Sequence, residues 1–232
     1  MDFIRPTSGE IKFSGALGKN KKEAFKQIGY LPERPFFYPH LTGREFCQYM
    51  GLLAEISKSN IDTQITKWGP RFKIDFALDR EIKTYSKGML QRLGFLATLL
   101  HNPKLIILDE PLSGLDPIGR KELKEIITEV NKEGATVFFS SHIVSDVEAV
   151  CDSVLFMKSG EIIFDGSVDK VINDNRKGES LISFVRDSDV EFLNVKDEIK
   201  KETLAKLIKE DCDIISVEPK KSTLEEIFYN VR

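Results

Sequence analysis

Along most of this chain, short apolar runs alternate with segments whose apolar residues recur at helical spacing. Leu105 to Leu108 is an unbroken run of branched aliphatic residues, which is typical of a buried central strand. Ser86 to Leu100 instead places its apolar residues on one face of a helix. The pattern predicts strands at residues 10–13, 28–33, 105–108, 135–140, 153–157, 181–185 and 214–217, and helices at residues 21–27, 86–100, 117–132, 144–150, 200–209 and 223–228. This succession predicts an α/β fold with a mainly parallel sheet.

Two parts of the chain depart from that alternation. Between residues 42 and 82 the pattern is helical, and it opens on a capping box, Thr42-Gly43-Arg44-Glu45. A helical insertion within an α/β protein indicates a separate helical lobe, at about residues 42–100. After residue 175 the charge density rises and the alternation weakens. We therefore predict a first domain at residues 1–175 and a small accessory domain at residues 176–232.

Composition narrows this picture mainly by exclusion. The 232 residues are 41% hydrophobic and 31% charged, which is typical of a soluble globular protein, and the formal charge of −3 gives no electrostatic reason to expect nucleic acid. The three cysteines, Cys47, Cys151 and Cys212, lie far apart without metal-binding spacing, so a reduced, cytosolic chain is the simplest interpretation. No segment approaches the roughly 18 consecutive apolar residues of a membrane helix.

Two acids directly follow the predicted central strand. Asp109 and Glu110 would lie at its carboxyl end, where open α/β sheets place their ligands. Asp109 suits a magnesium ion, directly or through water, because hard cations prefer carboxylate oxygens. Glu110 suits the role of a base that orients or deprotonates an attacking water molecule.

A candidate anion site precedes these acids by one helix. In Ser86-Lys87-Gly88-Met89 the serine stands at the amino end of the predicted helix, where free N–H groups and the helix dipole favour a phosphate. The Ser86 hydroxyl and the Gly88 N–H are the groups that would donate to it. An ordinary serine N-cap without a ligand is the alternative that this segment leaves open.

The usual companion of such acids, the phosphate-binding loop Gly-x-x-x-x-Gly-Lys-Ser/Thr, does not occur in these 232 residues. The most similar segment is Gly15-Ala16-Leu17-Gly18-Lys19-Asn20. Its glycine spacing is wrong, and asparagine replaces the hydroxyl residue that would hold magnesium. We interpret its glycines as turn residues.

Four motifs nevertheless follow one another in a fixed order. They are the Ser86-x-Gly88 helix start, Asp109-Glu110 at a strand end, Ser113-Gly114-Leu115-Asp116, and Ser140-Ser141-His142 after a further apolar strand. This succession resembles the nucleotide-binding subunit of ATP-binding-cassette (ABC) transporters, and the resemblance runs from residue 1 to about residue 170.

The resemblance assigns each motif a place in the family pattern. The matching residues are Ser86, Lys87, Gly88 and Met89 for the signature loop, Leu105 to Glu110 for the Walker B strand, Ser113, Gly114, Leu115 and Asp116 for the D-loop, His142 for the switch histidine and Glu33 for the Q-loop position. The resemblance implies a P-loop NTPase-like cassette with ATP and Mg²⁺ as ligands. It also implies that the Asp109 and Glu33 carboxylates approach the magnesium ion.

The family resemblance also implies a mechanism. Glu110 would activate water, and His142 would contact the γ-phosphate. Two nucleotide-binding subunits would pair head to tail, as a homodimer or a heterodimer, so that the signature loop of each completes the phosphate site of the other. The Q-loop would transmit closure to membrane permease subunits, which implies a cytoplasmic chain held at the inner face of the plasma membrane.

This chain departs from the family pattern at three positions. Glu33 is acidic where glutamine is usual, and its charge adds repulsion toward a γ-phosphate. Lys87 and Met89 replace the more common glycine and glutamine.

The Tyr-Ser-Lys-Gly-Met start and the closing Thr-Leu-Glu-Glu-Ile-Phe segment resemble the exporter branch of the family, which handles drugs, lipids, sodium or polysaccharide.

The missing phosphate loop limits the functional expectation. Losing about three charge-assisted hydrogen bonds, at roughly 1.5–3 kcal/mol each, would lower ATP affinity at least about a thousandfold. We therefore expect an amino-terminally truncated cassette that alone folds, binds ATP and hydrolyses ATP poorly. One alternative is a non-catalytic partner that donates Ser86 and Gly88 to a complete cassette. Another is a soluble relative that acts in translation or DNA repair.

Overall fold

The computed structural model describes residues 5–13, 15–175, 178–220 and 223–230, and the chain divides into two compact units, Met1–His142 and Ile143–Arg232. The helices are α1 (Lys21–Phe25), α2 (Gly43–Leu53), α3 (Lys58–Arg71), α4 (Lys87–Leu99), α5 (Pro117–Lys132), α6 (Val144–Val150), α7 (Val168–Asp174), α8 (Lys200–Lys209) and α9 (Leu224–Asn230). The strands are β1 (Ile28–Leu31), β2 (Leu105–Asp109), β3 (Thr136–Ser140), β4 (Ser153–Lys158), β5 (Glu161–Ser167), β6 (Glu179–Arg186), β7 (Asp189–Lys196) and β8 (Asp213–Pro219). Short 3-10 turns lie at Gly15–Leu17, Asp75–Ala77 and Ile82–Thr84.

The first unit is built on a parallel sheet with the strand order β1-β2-β3. In its register Leu31 lies beside Leu108, and Asp109 lies beside Ser140. The predicted α/β fold with a parallel sheet is therefore confirmed for this unit. Because all of its strands run in the same direction, their carboxyl ends meet at one edge of the sheet.

Helices α4 and α5 cover one face of this sheet. Ile106 and Leu108 point to that face and are at most 1% exposed, and Leu99 of α4 and Val130 of α5 line one small cavity together with Ile106. The alternate residues point to the opposite face, where Phe138 is 53% exposed. Strand β2 is thus central, as predicted, but within the described residues only one of its faces is fully covered.

The helical lobe packs its own core against α4. The predicted capping box is present, because the Thr42 side chain accepts from the Glu45 N–H while the Glu45 side chain accepts from the Thr42 N–H. Phe72, at the end of α3, is completely buried, and its ring centroid lies 5.2 Å from that of Phe95 in α4. Lys67 of α3 also forms an ion pair with Glu133, just beyond α5. The lobe is thereby fixed to the helices that cover the sheet.

The second unit opens on an antiparallel pair, β4 and β5. The predicted strand at residues 153–157 is present, but our expectation that it continues the parallel sheet is wrong, since β5 follows after a two-residue turn and pairs with it directly. Helix α9 packs here through Leu224 and Ile227, and Thr223 caps it by accepting from the Glu226 N–H.

The rest of this unit is an antiparallel sheet, β7-β6-β8, with α8 against it. The strands predicted at residues 181–185 and 214–217 and the helix at residues 200–209 are confirmed. Strand β7 was not predicted, because its apolar residues fall on both faces and most are exposed. The two compact units are divided in sequence between residues 142 and 143. The predicted domain boundary between residues 175 and 176 stays a prediction.

One predicted element is absent. Residues 10–13 form no strand, although their side chains alternate. A strand needs a neighbour to pair with, and no described segment pairs with these residues. Among the helices that the structure describes, none combines the length and the hydrophobicity that crossing a bilayer requires.

Candidate functional site

Polar side chains from two adjacent strands meet at the carboxyl edge of the parallel sheet. Ser140, the last residue of β3, donates its hydroxyl proton to Asp109 Oδ1 at 2.6 Å. The Ser140 Oγ in turn accepts from the Glu110 N–H at 3.0 Å. One serine therefore fixes both the carboxylate that ends β2 and the peptide that begins the following turn.

The Glu110 carboxylate is held in turn by His142. Its Oε1 accepts from the His142 main-chain N–H at 2.9 Å and lies 2.9 Å from His142 Nδ1. The Glu110 side chain is 22% exposed, whereas that of His142 is 71% exposed. When both ring nitrogens carry a proton, Nδ1 donates to the carboxylate and Nε2 on the exposed side of the ring remains as a donor for an anionic ligand.

The backbone at Glu110 is in the left-handed region, with φ at 48°. A non-glycine residue in this conformation is uncommon, and such residues cluster at functional sites where the surroundings hold them in place. Here the surroundings are Ser140 on the Glu110 N–H and His142 on its side chain. The strand end thus turns sharply and presents Glu110 on the same edge as Asp109.

The donor chemistry of this edge fits a magnesium ion that arrives with a nucleotide. Asp109 Oδ1 is engaged by Ser140, and carboxylate lone pairs remain for a cation. Within the described residues no three His, Cys, Asp or Glu side chains form a group that could hold a metal by themselves. Magnesium commonly takes one or two carboxylates together with phosphate oxygens and water, so a site of this kind needs the nucleotide.

Glu33 lies in a bend two residues beyond β1, at the same edge of the sheet, and it is exposed. Within the described residues no hydrogen bond or ion pair reaches the Glu33 side chain, in contrast to Asp109 and Glu110. Its predicted role on the metal side therefore stays a prediction.

The predicted signature residues stand at the start of α4. Ser86 is the N-cap, and its Oγ accepts from the Met89 N–H at 3.2 Å, which leaves the hydroxyl proton free to be donated. Over the described residues no acceptor is found for the N–H groups of Lys87 and Gly88. Ser86 therefore acts as an ordinary cap, and the first turn of the helix also offers N–H donors to an anion.

Tyr85 anchors this helix start to the helical lobe. Its hydroxyl donates to the Ala77 carbonyl at 2.6 Å, and burial raises the pKa of its phenol to about 12. The phenol consequently stays protonated, and the hydrogen bond persists, throughout the physiological pH range.

The predicted D-loop residues lie between β2 and α5. The Ser113 N–H donates to the Glu110 carbonyl at 3.0 Å, and Gly114 has φ at 72°, a conformation that glycine adopts without strain. Asp116 caps α5 by accepting from the Gly119 N–H at 3.0 Å. A methyl group at Gly88 would lie 3.4 Å from Leu115, so this loop packs against the signature start.

The predicted residues thus fall into two groups. One is the cluster of Asp109, Glu110 and His142, and the other is the signature start with the loop beneath it. The sequence analysis did not predict that Ser140 connects Asp109 to Glu110. The available signal was that Ser140 ends a strand next to β2, but its partner can be predicted only when the register of the two strands is known.

Comparisons with known proteins show which family this chain resembles. A family model described as "ABC transporter" matches residues 1–113. An uncharacterized ABC transporter ATP-binding protein, YdbJ of Bacillus subtilis, is 31% identical over 97% of this chain and 78% of its own length. The bacitracin transport ATP-binding protein BcrA of Bacillus licheniformis is 39% identical over 76% of this chain and 58% of its own length. A solved structure of an "ATP binding subunit of ABC transporter" is 29% identical, with a TM-score of 0.59 over 64% of this chain and 62% of that chain.

The chain belongs to the ATP-binding proteins of ABC transporters, in the exporter-like branch that includes bacitracin and lantibiotic transport proteins. It spans about half the length of several of the curated relatives that it matches.

Proposed function

We propose that this chain is the subunit that binds and hydrolyses ATP to power a membrane permease. The observation that carries this proposal is the linked cluster at the sheet edge, in which Ser140 holds Asp109 and Glu110 while His142 holds the Glu110 carboxylate. A carboxylate fixed at one oxygen by a donor is oriented for a water molecule at the other. ATP would supply the phosphoryl group, and Mg²⁺ would neutralise the charge that develops on it.

Each residue of the cluster has a separate task in this proposal. Asp109, with Glu33, faces Mg²⁺. Glu110 orients or deprotonates the attacking water, and His142 contacts the γ-phosphate through its exposed ring. Ser140 acts only by positioning, since both of its hydrogen bonds go to the protein.

The signature start serves a second cassette. Ser86 and the N–H groups of Lys87 and Gly88 present donors at the amino end of α4, apart from the Glu110 cluster. In a head-to-tail pair, these donors would complete the phosphate site of the neighbouring subunit, and the loop from Ser113 to Asp116 would lie at the same contact. The second subunit is either a copy of this chain or a related one.

A permease surface is proposed next to Glu33. Phe36, Tyr38 and Tyr49 form an exposed row of edge-to-face aromatic rings, with centroids 5.3 Å and 5.5 Å apart. This row continues into a mainly apolar groove of about 570 Å³ between β1, α2 and α4, which Phe46 and Met50 help to line. Exposed apolar surface of this kind marks a protein contact, and ABC ATP-binding subunits work with permeases.

The polypeptide of these 232 residues is proposed to be a weak ATPase on its own. It carries no Gly-x-x-x-x-Gly-Lys-Ser/Thr segment, which in P-loop proteins supplies the main phosphate contacts. Calorimetric titration of the purified 232-residue chain with Mg²⁺-ATP would therefore give weak binding. Tight, magnesium-dependent binding would overturn this part of the proposal.

The alternative function is a non-catalytic partner that donates its signature start to a complete cassette. The observation that favours it is that the Ser86 hydroxyl and the N–H groups of Lys87 and Gly88 offer donors at the start of α4. The two functions differ in whether Glu110 of this chain takes part in turnover.

Glu110→Gln in the complex purified with its permease separates them, with Glu125→Gln on the exposed surface of α5 as the matched control. The proposal predicts that ATP turnover falls by at least about a hundredfold only in the first variant. Unchanged turnover in Glu110→Gln, together with a loss in Ser86→Glu, would support the non-catalytic partner instead.

A further inference from the structure

We infer that Gln91 is a positioning residue that ties the peptide after Glu110 to the signature helix, so that the two nucleotide sites served by one chain are linked within it. This inference rests on the proposed function. It concerns a buried polar side chain that neither the catalytic cluster nor the signature start uses.

The observation is a single hydrogen bond inside the first unit. Gln91 lies one turn into α4 and is only 6% exposed, and its Nε2 donates to the Pro111 carbonyl at 2.9 Å. A buried amide costs free energy unless it is hydrogen-bonded, so this bond is maintained in the folded chain. Pro111 has no N–H, so its carbonyl is the only hydrogen-bonding main-chain group that Pro111 itself offers.

The hydrogen bond from Gln91 affects the turn that carries Glu110 because of where Pro111 lies. Pro111 directly follows Glu110, whose φ of 48° sets the direction in which the carboxylate leaves the strand. Two residues later the Ser113 N–H closes the turn on the Glu110 carbonyl at 3.0 Å. Holding the Pro111 carbonyl fixes the orientation of this turn, and with it the Glu110 side chain on one side and the D-loop on the other.

Helix α4, which carries Gln91, is held in place by ionic and hydrogen-bonded contacts. Arg92, the next residue of α4, donates to the Phe72 carbonyl at 2.9 Å and to Glu122 of α5 at 2.7 Å. Lys73 also pairs with Glu122, and the two cations together hold the pKa of Glu122 below its ordinary value. Helix α4 is therefore clamped to the helical lobe and to α5, so a displacement of its start is passed to Pro111 through Gln91.

This hydrogen bond predicts an effect on ATP hydrolysis and not on ATP binding. The start of α4 engages the ATP of a neighbouring subunit, whereas Glu110 acts on the ATP of its own. Gln91 connects these two groups in one chain. Loss of the link should disturb the placement of Glu110, and hence the hydrolysis step, while ATP binding is left unchanged because Gln91 contacts neither ligand site.

The first test is hydrogen exchange of the Ser113 amide in the 232-residue chain. Gln91→Met keeps the side-chain length and removes the amide. Gln64→Met is the matched control, because Gln64 in α3 also loses one side-chain hydrogen bond, from Trp68 Nε1, at a distance from this turn. We expect exchange at Ser113 to be at least about tenfold faster in Gln91→Met only. Equal exchange in both variants and in the parent chain would overturn the inference.

A second substitution covers the case in which Gln91→Met does not fold. Gln91→Glu keeps shape and polarity, but an ionised carboxylate cannot donate to the Pro111 carbonyl. The expected result is again faster exchange at Ser113 above the pKa of the introduced carboxyl, with slower exchange once it is protonated and regains a donor. Exchange that does not respond to pH relative to the parent chain would count against the link.

The second test measures turnover in the complex with its permease. For Gln91→Met we expect kcat to fall about tenfold or more while KM for ATP stays within about twofold, since misplacement of a catalytic group affects the chemical step. A rise in KM with unchanged kcat, or an equal effect of Gln64→Met, would overturn the inference. A parent complex without any ATP turnover would instead overturn the proposed function, and the exchange of Ser113 would then decide separately whether the link exists.

Discussion

His142 contacts the Glu110 carboxylate twice, through its main-chain N–H at 2.9 Å and through Nδ1 at 2.9 Å, and both contacts reach the same oxygen. The two groups are therefore joined without any nucleotide. The main-chain contact sets the position of the carboxylate, and the exposed ring adds a contact that a ligand can compete for. This division separates what the backbone contributes from what the imidazole contributes.

The first prediction tests that division. His142→Ala removes the ring and keeps the main-chain donor to Glu110. We expect ATP turnover of the complex to fall about a hundredfold, because a donor positioned on the charge that develops in the transition state contributes about this much. The free energy of unfolding should change by less than about 0.5 kcal/mol, since the side chain is 71% exposed. His40→Ala, at another exposed histidine, is the control and should leave both quantities unchanged.

The second prediction concerns Ser140. Ser140→Ala removes the donor to the Asp109 carboxylate and the acceptor for the Glu110 N–H, so Asp109 loses a restraint on its side chain and Glu110 loses one on its backbone. We expect a higher Mg²⁺ concentration for half-maximal turnover, together with a lower maximal rate. Ser140→Thr retains the hydroxyl and should restore most of both. If alanine and threonine behave alike in a titration of turnover against Mg²⁺, the bridging role of the hydroxyl is wrong.

The third prediction concerns the packing that supports the site. A Cβ at Gly29 in β1 would lie 2.7 Å from the Thr98 carbonyl and 3.2 Å from Pro103. Gly29→Ala should therefore lower the free energy of unfolding by about 1–3 kcal/mol, because a packed core resists added volume.

The control for this substitution is Gly69→Ala in the interior of α3. There the nearest atom to a Cβ is 3.4 Å away, which is ordinary contact. Alanine should change the free energy of unfolding by less than about 1 kcal/mol, since its better helix propensity is opposed by the restriction that Pro70 places on the preceding residue. Urea unfolding of both variants checks the pair, and a Gly29→Ala chain as stable as the parent would contradict the packing.

The fourth prediction is a pH dependence that comes from His101. Burial lowers the pKa of this imidazole, while its hydrogen bond to the Ile28 carbonyl acts in the opposite direction. The unfolded chain, with an ordinary pKa near 6.5, then binds more protons than the folded one. Stability should be complete above that value and decline as the pH falls through it toward the lower pKa of the folded state.

His101→Gln removes this titration and keeps a hydrogen-bonding group at the same place. The difference in unfolding free energy between about pH 7 and pH 5 should be smaller in His101→Gln than in the parent chain. A difference of the same size in both proteins, measured by urea unfolding at the two pH values, would show that His101 does not contribute.

The elements that the sequence predicted well are those determined locally. Helix α5 begins after Asp116 and helix α2 after Thr42, and in each case a side chain caps the free N–H groups of its own first turn. Neither requires a partner from elsewhere in the chain. The order of the four motifs likewise depends only on positions along the sequence, which is why the family could be predicted from them.

The features that the sequence did not predict depend on pairing between distant segments. Ser140 meets Asp109 only because β3 lies in register beside β2, and Gln91 meets Pro111 only because α4 packs beneath the following turn. Residues 10–13 alternate like a strand but have no described partner, and β4 pairs with the segment after it instead of with the parallel sheet. Alternation specifies which face a residue occupies, but it does not specify the neighbour.

The most direct measurement of the central claim is the rate at which the Glu110→Gln complex forms ADP at saturating Mg²⁺-ATP. The proposed site predicts a rate at least about a hundredfold below that of the parent complex, because the residue that activates water is missing. Formation of ADP by the variant at the parent rate would contradict the assignment of Glu110 and, with it, the proposed site.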